Sequence, residues 1–178
     1  MNQAQTDADL VSASLAGSDA AFSRLVDRHQ QALRSFLRRV SGNEADADEL
    51  AQEVFLAAWT KLKLLRSPDK FRSWLFGMAW SMNKTFRRSA ARRRARDEAW
   101  QDLQPRTATP QDELRLALNK AMAELEADQR AVVALCLAGG WTHDEASRAL
   151  EIPLGTVKSH VSRGRARLEE VLGDRHEQ

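Results

Sequence analysis

Residues 141–168, WTHDEASRALEIPLGTVKSHVSRGRARL, decide the fold of the C-terminal part of this chain. Thr142 and Glu145 form a T-x-x-E capping box, which satisfies two backbone donors and sets where a first helix begins. The small side chain of Ala146 lets a second helix cross the first one closely. Pro153 has no N–H group to donate, so it suits the first turn of the second helix. The spacing therefore predicts a helix-turn-helix.

The second helix of this segment has two different faces. Apolar residues recur at helical spacing and predict a buried stripe: Leu154, Val157, Val161 and Leu168. Polar and basic residues share another face: Lys158, Ser159, Ser162 and Arg163. Such a face can enter a groove of DNA. An ordinary amphipathic helix pair with a solvated basic face is the alternative.

The composition favours helix throughout. The chain has 178 residues, which suits one large domain or two small ones, and 43% of them are hydrophobic, enough for a packed core. No segment shows the apolar–polar alternation of a strand bounded by turn residues. The sequence therefore predicts an all-α protein.

Several function classes are disfavoured by what the sequence contains. The single cysteine, Cys136, excludes a disulfide framework, and its apolar neighbours predict a buried, inert thiol. The four histidines lack ligand spacing, and no glycine-rich phosphate loop or HExxH motif occurs. We therefore expect no metal, no cofactor and no enzymatic activity. The polar N-terminus and the absence of a membrane-spanning apolar run favour the cytoplasm.

Apolar periodicity and breaks divide the chain into two small helical domains joined by a flexible linker. The first domain covers residues 1–96, the linker covers residues 97–112 and the second domain covers residues 113–178. Helices are predicted at residues 6–16, 20–39, 45–62, from 71 into the arginine-rich run, 114–125 and 128–138. The core face of the helix that begins at residue 71 is predicted to contain Phe71, Trp74, Leu75, Met78, Met82 and Phe86. The linker has two prolines and little periodicity.

Charge is unevenly spread although the net charge is only +2. Residues 44–53 hold five acids and no base, whereas residues 84–96 hold seven bases and no acid. This polarity predicts a basic protein partner for the first run and nucleic acid for the second.

Three motifs stand in one order and spacing: DELAQEVFLAAW at residues 48–59, FRSWLFGMAW at 71–80 and the segment at 141–168. Together they resemble bacterial sigma-70 family initiation factors of the small, two-domain extracytoplasmic-function type. The resemblance implies a sigma-2-like helical bundle followed by a sigma-4-like helix-turn-helix. It further implies a promoter-specificity subunit of RNA polymerase, with the polymerase doing the chemistry.

The acidic run predicts a docking surface. Its members share one face of a helix, opposite Leu50 and Val54: Asp48, Glu49, Gln52 and Glu53. An acidic strip on a rigid helix suits docking against a basic coiled coil. The resemblance assigns that partner as the clamp helices of the polymerase beta-prime subunit. Without the other motifs, a solubilising helix face would be the preferred interpretation.

The helix that begins at residue 71 predicts a contact with single-stranded DNA. Its second face mixes an aromatic ring, hydroxyl groups and cations: Trp80, Ser81, Lys84, Thr85, Arg87 and Arg88. Such a face can follow phosphates and stack on unpaired bases. The resemblance implies capture of the minus-10 element, with one base flipped into a pocket built from residues 64–71. Relatives often carry Asn at Ser81 and a basic residue at Gly77, and Trp80 could face either DNA or core.

The helix-turn-helix is assigned by resemblance to the minus-35 element. The residues at contacting or neighbouring positions are Thr156, Lys158, Ser159, His160, Ser162 and Arg163. Glu151 stands where relatives commonly have Gly, and a positive φ there would cost about 1 kcal/mol. Cys136 stands where some relatives carry a DNA-contacting Arg, which predicts that this contact is absent.

The partners implied by the resemblance are core RNA polymerase, through the beta-prime clamp helices and the beta flap, promoter DNA and an anti-sigma factor. No membrane insertion is expected. Two alternatives remain: a sigma-like mimic that sequesters an anti-sigma factor, and a stand-alone helix-turn-helix regulator. The N-terminal ninety residues disfavour the second, since such a regulator needs only the last sixty or so.

Overall fold

The structure is a computed structural model that describes residues 5–94 and 110–173, and no strand occurs within those ranges. The α-helices are α1 (Asp7–Leu15), α2 (Asp19–Ser41), α3 (Glu44–Lys61), α4 (Phe71–Arg94), α5 (Pro110–Glu124), α6 (Ala127–Val133), α7 (His143–Leu150) and α8 (Leu154–Gly173). Short 3₁₀ turns at Leu62–Leu64 and Pro68–Lys70 connect α3 to α4, and a π-helical turn at Ala134–Ala138 extends α6. The predicted all-α class is confirmed.

Capping side chains set the helix boundaries. The side chain of Thr6 accepts a hydrogen bond from a backbone N–H group in the first turn of α1. The side chains of Ser18 and Asn43 do the same for α2 and α3. Gly42 ends α2 with φ of 77°, a conformation that glycine adopts without steric cost. These local signals explain why the predicted helices begin and end within a few residues of the observed ones.

Helices α1–α4 form an N-terminal bundle. Its largest fully buried side chains come from all four helices: Leu10, Leu25, Leu33, Leu37, Leu50, Val54, Phe71, Leu75 and Phe76. Asp7 ties α1 to α2, since its carboxylate lies 2.6 Å from Arg28 Nη1 and 2.8 Å from His29 Nε2. Burial lowers the pKa of His29, although Asp7 opposes that shift.

Helices α5–α8 form a C-terminal bundle, in which α8 packs on α5, α6 and α7. Arg130 is buried and its Nη2 donates to the carbonyl oxygens of Ala123 at 2.6 Å and Leu125 at 2.9 Å. These bonds satisfy carbonyl groups at the C-terminal end of α5 and fix the turn into α6.

The two bundles contact each other, chiefly through α4 with α7 and α2 with α6. Helix α4 is therefore covered on more sides than its sequence predicts. Phe71 and Leu75 are fully buried as predicted, and the other predicted core residues of α4 are partly buried: Trp74, Met78, Met82 and Phe86. A second side of α4 is buried as well, and it carries Phe76, Ala79, Trp80 and Asn83.

Two further sequence predictions can be placed. Residues 97–109 of the predicted linker lie outside the described residues, and residues 110–112 are the first residues of α5. Among the helices of the described ranges, none combines the length and the apolar character that crossing a bilayer requires.

Candidate nucleic-acid interface

The capping box that opens the helix-turn-helix is present. The backbone N–H of Glu145 donates to Thr142 Oγ1 at 3.2 Å, and that of Thr142 donates to Glu145 Oε2 at 2.8 Å. These hydrogen bonds hold the pKa of the Glu145 carboxyl below its ordinary value, because they favour the ionised form. The box therefore fixes where α7 begins.

The turn between α7 and α8 needs a left-handed residue. Glu151 has φ of 56° and ψ of 39°, the αL conformation, so the positive φ on which the expected cost depends is present. Ser147 closes the turn, since its Oγ donates to the Ile152 carbonyl at 2.6 Å. Pro153 was predicted in the first turn of the second helix, and it lies one residue before α8 begins. Its carbonyl oxygen accepts a hydrogen bond from the backbone N–H of Val157.

Helix α8 presents the predicted face to solvent. Val157 and Val161 are buried against the bundle. The predicted contact residues on the other side are exposed, except for half-buried His160: Thr156, Lys158, Ser159, Ser162 and Arg163. The Arg163 guanidinium lies over its own helix, with Nη2 3.5 Å from His160 Nδ1.

Two predictions about α8 need correction or refinement. Leu154, predicted to be buried, is 38% exposed, because it is the first residue of the helix and extends beyond the packed stripe. Arg167, a further cation of the same helix that could contact the DNA backbone or face solvent, forms ion pairs with Glu124 at 2.5 Å and Glu170 at 2.7 Å. The guanidinium of Arg167 is therefore not part of the α8 face.

Most of the predicted minus-10 face of α4 is exposed. The exposed residues are Ser81, Lys84, Thr85, Arg87 and Arg88. Trp80 is the exception: the sequence leaves it open between DNA and core, and in this conformation it is 2% exposed and packs in the core. The reason is its register, since Trp80 follows Phe76 by four residues and lies on the same, packed side of α4. Arginines from residue 90 onward lie outside the side chains that the structure describes.

Sequence reasoning missed Asn83, which is fully buried next to this face. Among the described residues, neither its amide nitrogen nor its carbonyl oxygen has a hydrogen-bond partner, and the same holds for Trp80 Nε1. Asn83 follows Phe76 by seven residues, so helical spacing alone could have placed it on the packed side. Buried amide groups are normally hydrogen-bonded, so the packed side of α4 is unusual in burying one without a partner among the described residues.

The segment before α4 offers an exposed surface. Leu64 is 65% exposed, and Arg66, Ser67 and Lys70 are exposed around it. Phe71, at the end of the predicted pocket segment, is fully buried, with its ring 5.5 Å from that of His29. Phe71 therefore anchors the segment rather than lining its surface.

The acidic strip lies on the outer side of α3. Glu49, Gln52 and Glu53 are exposed, while Leu50 and Val54 on the opposite side are buried. Asp48 differs from the others because it is half-buried, with its Oδ1 3.5 Å from Arg38 Nη2 and 3.9 Å from Arg34 Nε. Its charge is partly balanced within the bundle.

An apolar extension of this strip was not predicted. Leu56 is 68% exposed and Trp59 is 41% exposed, and they follow Gln52 by four and seven residues. The Trp59 ring packs edge-on against Phe22, with 4.8 Å between centroids, and borders a shallow groove of about 390 Å³. Their position outside the buried stripe of α3 is the sequence signal that could have revealed them.

The profile of sigma-70 region 2 matches residues 25–96, and that of sigma-70 region 4 matches residues 115–168. The two matches together span more than half of the chain. This chain belongs to the sigma-70 family. Region 2 of the sigma factor thus comprises most of α2 together with α3 and α4, and region 4 contains most of α5 through α8.

Two named relatives show which type of sigma factor this chain resembles. The sigma factor is 33% identical over 170 residues to the ECF RNA polymerase sigma factor SigM of Mycobacterium tuberculosis, covering 95% of this chain and 86% of SigM. It is 32% identical over 181 residues to the RNA polymerase sigma factor NccH of Alcaligenes xylosoxydans xylosoxydans, covering 97% of each. The resemblance to the extracytoplasmic-function (ECF) type is confirmed.

A solved structure has the same fold. The sigma factor RpoE of Bartonella quintana, in complex with the anti-sigma factor NepR, superposes with a TM-score of 0.71 and is 26% identical. The match covers 85% of this chain and 96% of RpoE.

Cys136 of the sigma factor lies half-buried on the π-helical turn after α6. Burial raises the pKa of its thiol, with the Glu145 carboxylate adding to the shift, so the thiol is neutral at physiological pH.

Proposed function

We propose that this sigma factor directs core RNA polymerase to promoters by reading the minus-35 element with α8 and opening the minus-10 element with α4. The observation that carries the proposal is the presence of a capped helix-turn-helix and a basic α4 face in the two matched regions of one chain. The helix-turn-helix alone would not explain the match to region 2, and the basic face of α4 alone would not explain the match to region 4.

The α8 face supplies the minus-35 contacts. Lys158 and Arg163 are exposed cations that can reach guanine acceptors in the major groove, and Ser159 and Ser162 can donate to phosphates or bases. Arg163 lies against His160 and has no acidic partner among the described residues, so its guanidinium can move to DNA.

The α4 face and the segment before it supply the minus-10 contacts. Lys84, Arg87 and Arg88 line one exposed side, where cations can follow the phosphates of a single strand. Exposed Leu64 and its polar neighbours form the surface on which a flipped base would be held. Strand opening then requires only that the opened DNA bind more tightly than the duplex.

The outer face of α3 docks the sigma factor on core polymerase. Glu49, Gln52 and Glu53 provide acidic and amide groups for the basic clamp helices of the beta-prime subunit, and region 4 approaches the beta flap. Exposed Leu56 and Trp59 continue this face with an apolar surface. When that surface packs against the partner it excludes water from the neighbouring acidic groups.

An anti-sigma factor controls access to these surfaces. The support is the similar structure of RpoE, which was solved with the anti-sigma factor NepR bound. The regulator would act by binding one or both regions, since a partner that prefers the sigma factor alone shifts the equilibrium away from polymerase.

Run-off transcription tests the proposal. Purified core polymerase is incubated with and without the chain on a library of bacterial promoter fragments, and the transcripts are sequenced. We expect specific transcripts only when the chain is present, with two shared upstream elements on alignment. The absence of such transcripts, together with a failure to bind core in a pull-down, would refute the sigma activity of this chain.

A further inference from the structure

A cavity of about 290 Å³ lies beside the C-terminal end of α2. Its walls come from α2 and the start of α3 on one side, and from α5 and α6 on the other. No residue assigned above to DNA or to core polymerase lines it. Its volume is close to the lower end of the range for small-ligand pockets, about 300 Å³, so the cavity suits a small molecule rather than a macromolecule.

The charged side chains that line this cavity are mostly cationic. Arg38 and Arg39 reach it from α2, and Arg130 reaches it from α6. The acid among the lining residues is Glu44, the exposed first residue of α3. The lining therefore carries an excess of two positive charges, which attracts an anion.

Arg130 is a buried cation without a matching acid. It is 7% exposed, and its Nη2 donates to the carbonyl oxygens at the end of α5. Among the described residues, neither its Nε nor its Nη1 has an acceptor. Burial lowers the pKa of this guanidinium, and repulsion from Arg87 on α4 adds to the shift. A buried charge is costly unless it is paired, so Arg130 favours an anion in the cavity.

Arg39 is the second cation of the cavity without an acid. It is half-buried, and its Nη1 donates to the Ser35 carbonyl oxygen at 2.9 Å and to the Ser35 hydroxyl. No acid among the described residues pairs with it. Arg38 differs, because its Nη2 lies 3.5 Å from Asp48 Oδ1, which partly balances its charge. Arg39 and Arg130 therefore supply the unbalanced charge, one from each bundle.

These donors match a phosphate group. The planar N–H donors of a guanidinium fit two oxygens of one phosphate, and the resulting hydrogen bonds are charge-assisted. A phosphate monoester carries a charge of about −1.5 to −2 at pH 7, which balances the excess of two positive charges. A single carboxylate would leave about one positive charge uncompensated.

We propose that this cavity binds the phosphate group of a small molecule between Arg39 of α2 and Arg130 of α6. The phosphate is either inorganic or the terminal group of an organic phosphate such as a nucleotide, and both offer the same oxygens to the two guanidinium groups. The site does not depend on the proposed function in transcription, because none of its residues is assigned to DNA or to core polymerase.

Isothermal titration calorimetry on the full chain tests the site, with inorganic phosphate as the first probe. Sodium chloride keeps the ionic strength equal in cell and syringe, so general screening cancels. We expect saturable binding at one site per chain, and a Tm that rises by about 3–6 °C when phosphate is at ten times its Kd. The absence of saturable binding up to about 10 mM phosphate, ten times a Kd of 1 mM, would overturn the proposal. An equal rise in Tm with sodium chloride alone would overturn it too.

Two substitutions with opposite expected effects locate the phosphate. Arg39→Gln removes a charged donor and should weaken phosphate binding about 10- to 100-fold. Its control is Arg24→Gln, an exposed arginine of the same helix outside the cavity, which should leave the Kd unchanged. Glu44→Gln removes the acid of the lining and should tighten binding roughly threefold or more, a gain that misfolding cannot produce. Equal Kd values for Arg39→Gln and Arg24→Gln, or no gain in Glu44→Gln, would place the anion elsewhere.

Adenosine monophosphate and adenosine distinguish the two sources of the phosphate. Equal Kd values for inorganic phosphate and adenosine monophosphate would show that the phosphate alone is recognised. Tighter binding of the nucleotide, lost in Arg39→Gln, would show that an organic phosphate fills the cavity. Adenosine that binds as tightly as its monophosphate would overturn the site, because recognition would then not involve the phosphate. Since binding is measured with the chain alone, its failure would leave the proposed function in transcription unaffected.

Discussion

Replacement of Glu151 by glycine should stabilise the sigma factor. Glu151 is the C-cap of α7 with φ of 56° and ψ of 39°, and it is the non-glycine residue with positive φ in the part of the chain that the structure describes. Its side chain is exposed and makes no hydrogen bond or ion pair with the other described residues, so little is lost when it is removed. A carboxylate at a helix C-terminus is also placed unfavourably in the field of the helix dipole.

The magnitude follows from two opposing contributions. A residue with a Cβ pays about 1–2 kcal/mol in the αL conformation, which glycine avoids. Glycine gives back about 0.4–1 kcal/mol through the greater freedom of the unfolded chain. The net gain in the free energy of unfolding is therefore about 0.5–1 kcal/mol, which corresponds to a rise in Tm of roughly 1–4 °C for a chain of this length.

Thermal unfolding followed by circular dichroism at the helix band measures this gain. Glu151→Ala is the matched control, because it removes the same carboxylate but keeps the Cβ that causes the strain. We expect the order of Tm to be Glu151→Gly above Glu151→Ala, with Glu151→Asn between them, since Asn tolerates αL better than Ala. A Glu151→Gly protein that unfolds at or below the temperature of Glu151→Ala would refute the argument from backbone strain.

Three further changes test the other surfaces. Arg163→Ala should weaken minus-35 binding roughly 5- to 150-fold in a mobility-shift assay, as expected for one lost base contact. Lys120→Ala on α5 is its control, and equal loss in both would remove Arg163 from the recognition face. Glu53→Lys should weaken binding to core polymerase about tenfold or more in a competition assay, because it puts a cation against a basic partner; unchanged affinity, or an equal loss for Asp27→Lys on α2, would place the docking surface elsewhere. Thr142→Ala should lower stability by about 1 kcal/mol at neutral pH. The hydrogen bonds from Thr142 lower the pKa of Glu145 below 4.5, so their stabilisation is present above that pH and lost as pH falls below it; a wild-type-to-variant difference that persists undiminished at pH 3 would contradict the role of the capping box.

Local signals made most helices predictable. Caps such as Thr142, Ser18 and Asn43 act within one turn of chain, so their effect can be read without the rest of the molecule. The buried stripe of α3 follows from helical periodicity in the same way. The exposed cations of α8 were likewise predictable, because Val157 and Val161 fix which side of that helix packs.

What the sequence left unresolved on α4 has one common physical origin. The placement of Trp80 stayed open between DNA and core, Asn83 was overlooked and the burial of Phe76 was not foreseen, and all three lie on the side of α4 that packs. Periodicity reveals how many apolar faces a helix has, but it does not say which elements cover them. Leu56 and Trp59 are the opposite case, since apolar residues outside the stripe stayed exposed.

The sequence by itself determined the all-helical class, the helix boundaries, the helix-turn-helix and the family, because these depend on residues close together in the chain. Only the tertiary structure decided how the two bundles meet. The crossing of α4 and α7 at Gly77 depends on Ala149, 72 positions away, and the side chain that glycine lacks leaves no trace in periodicity or charge. The burial of the Gly77 side of α4 is decided by that distant contact, since helix–helix packing is set by shape between surfaces far apart in sequence.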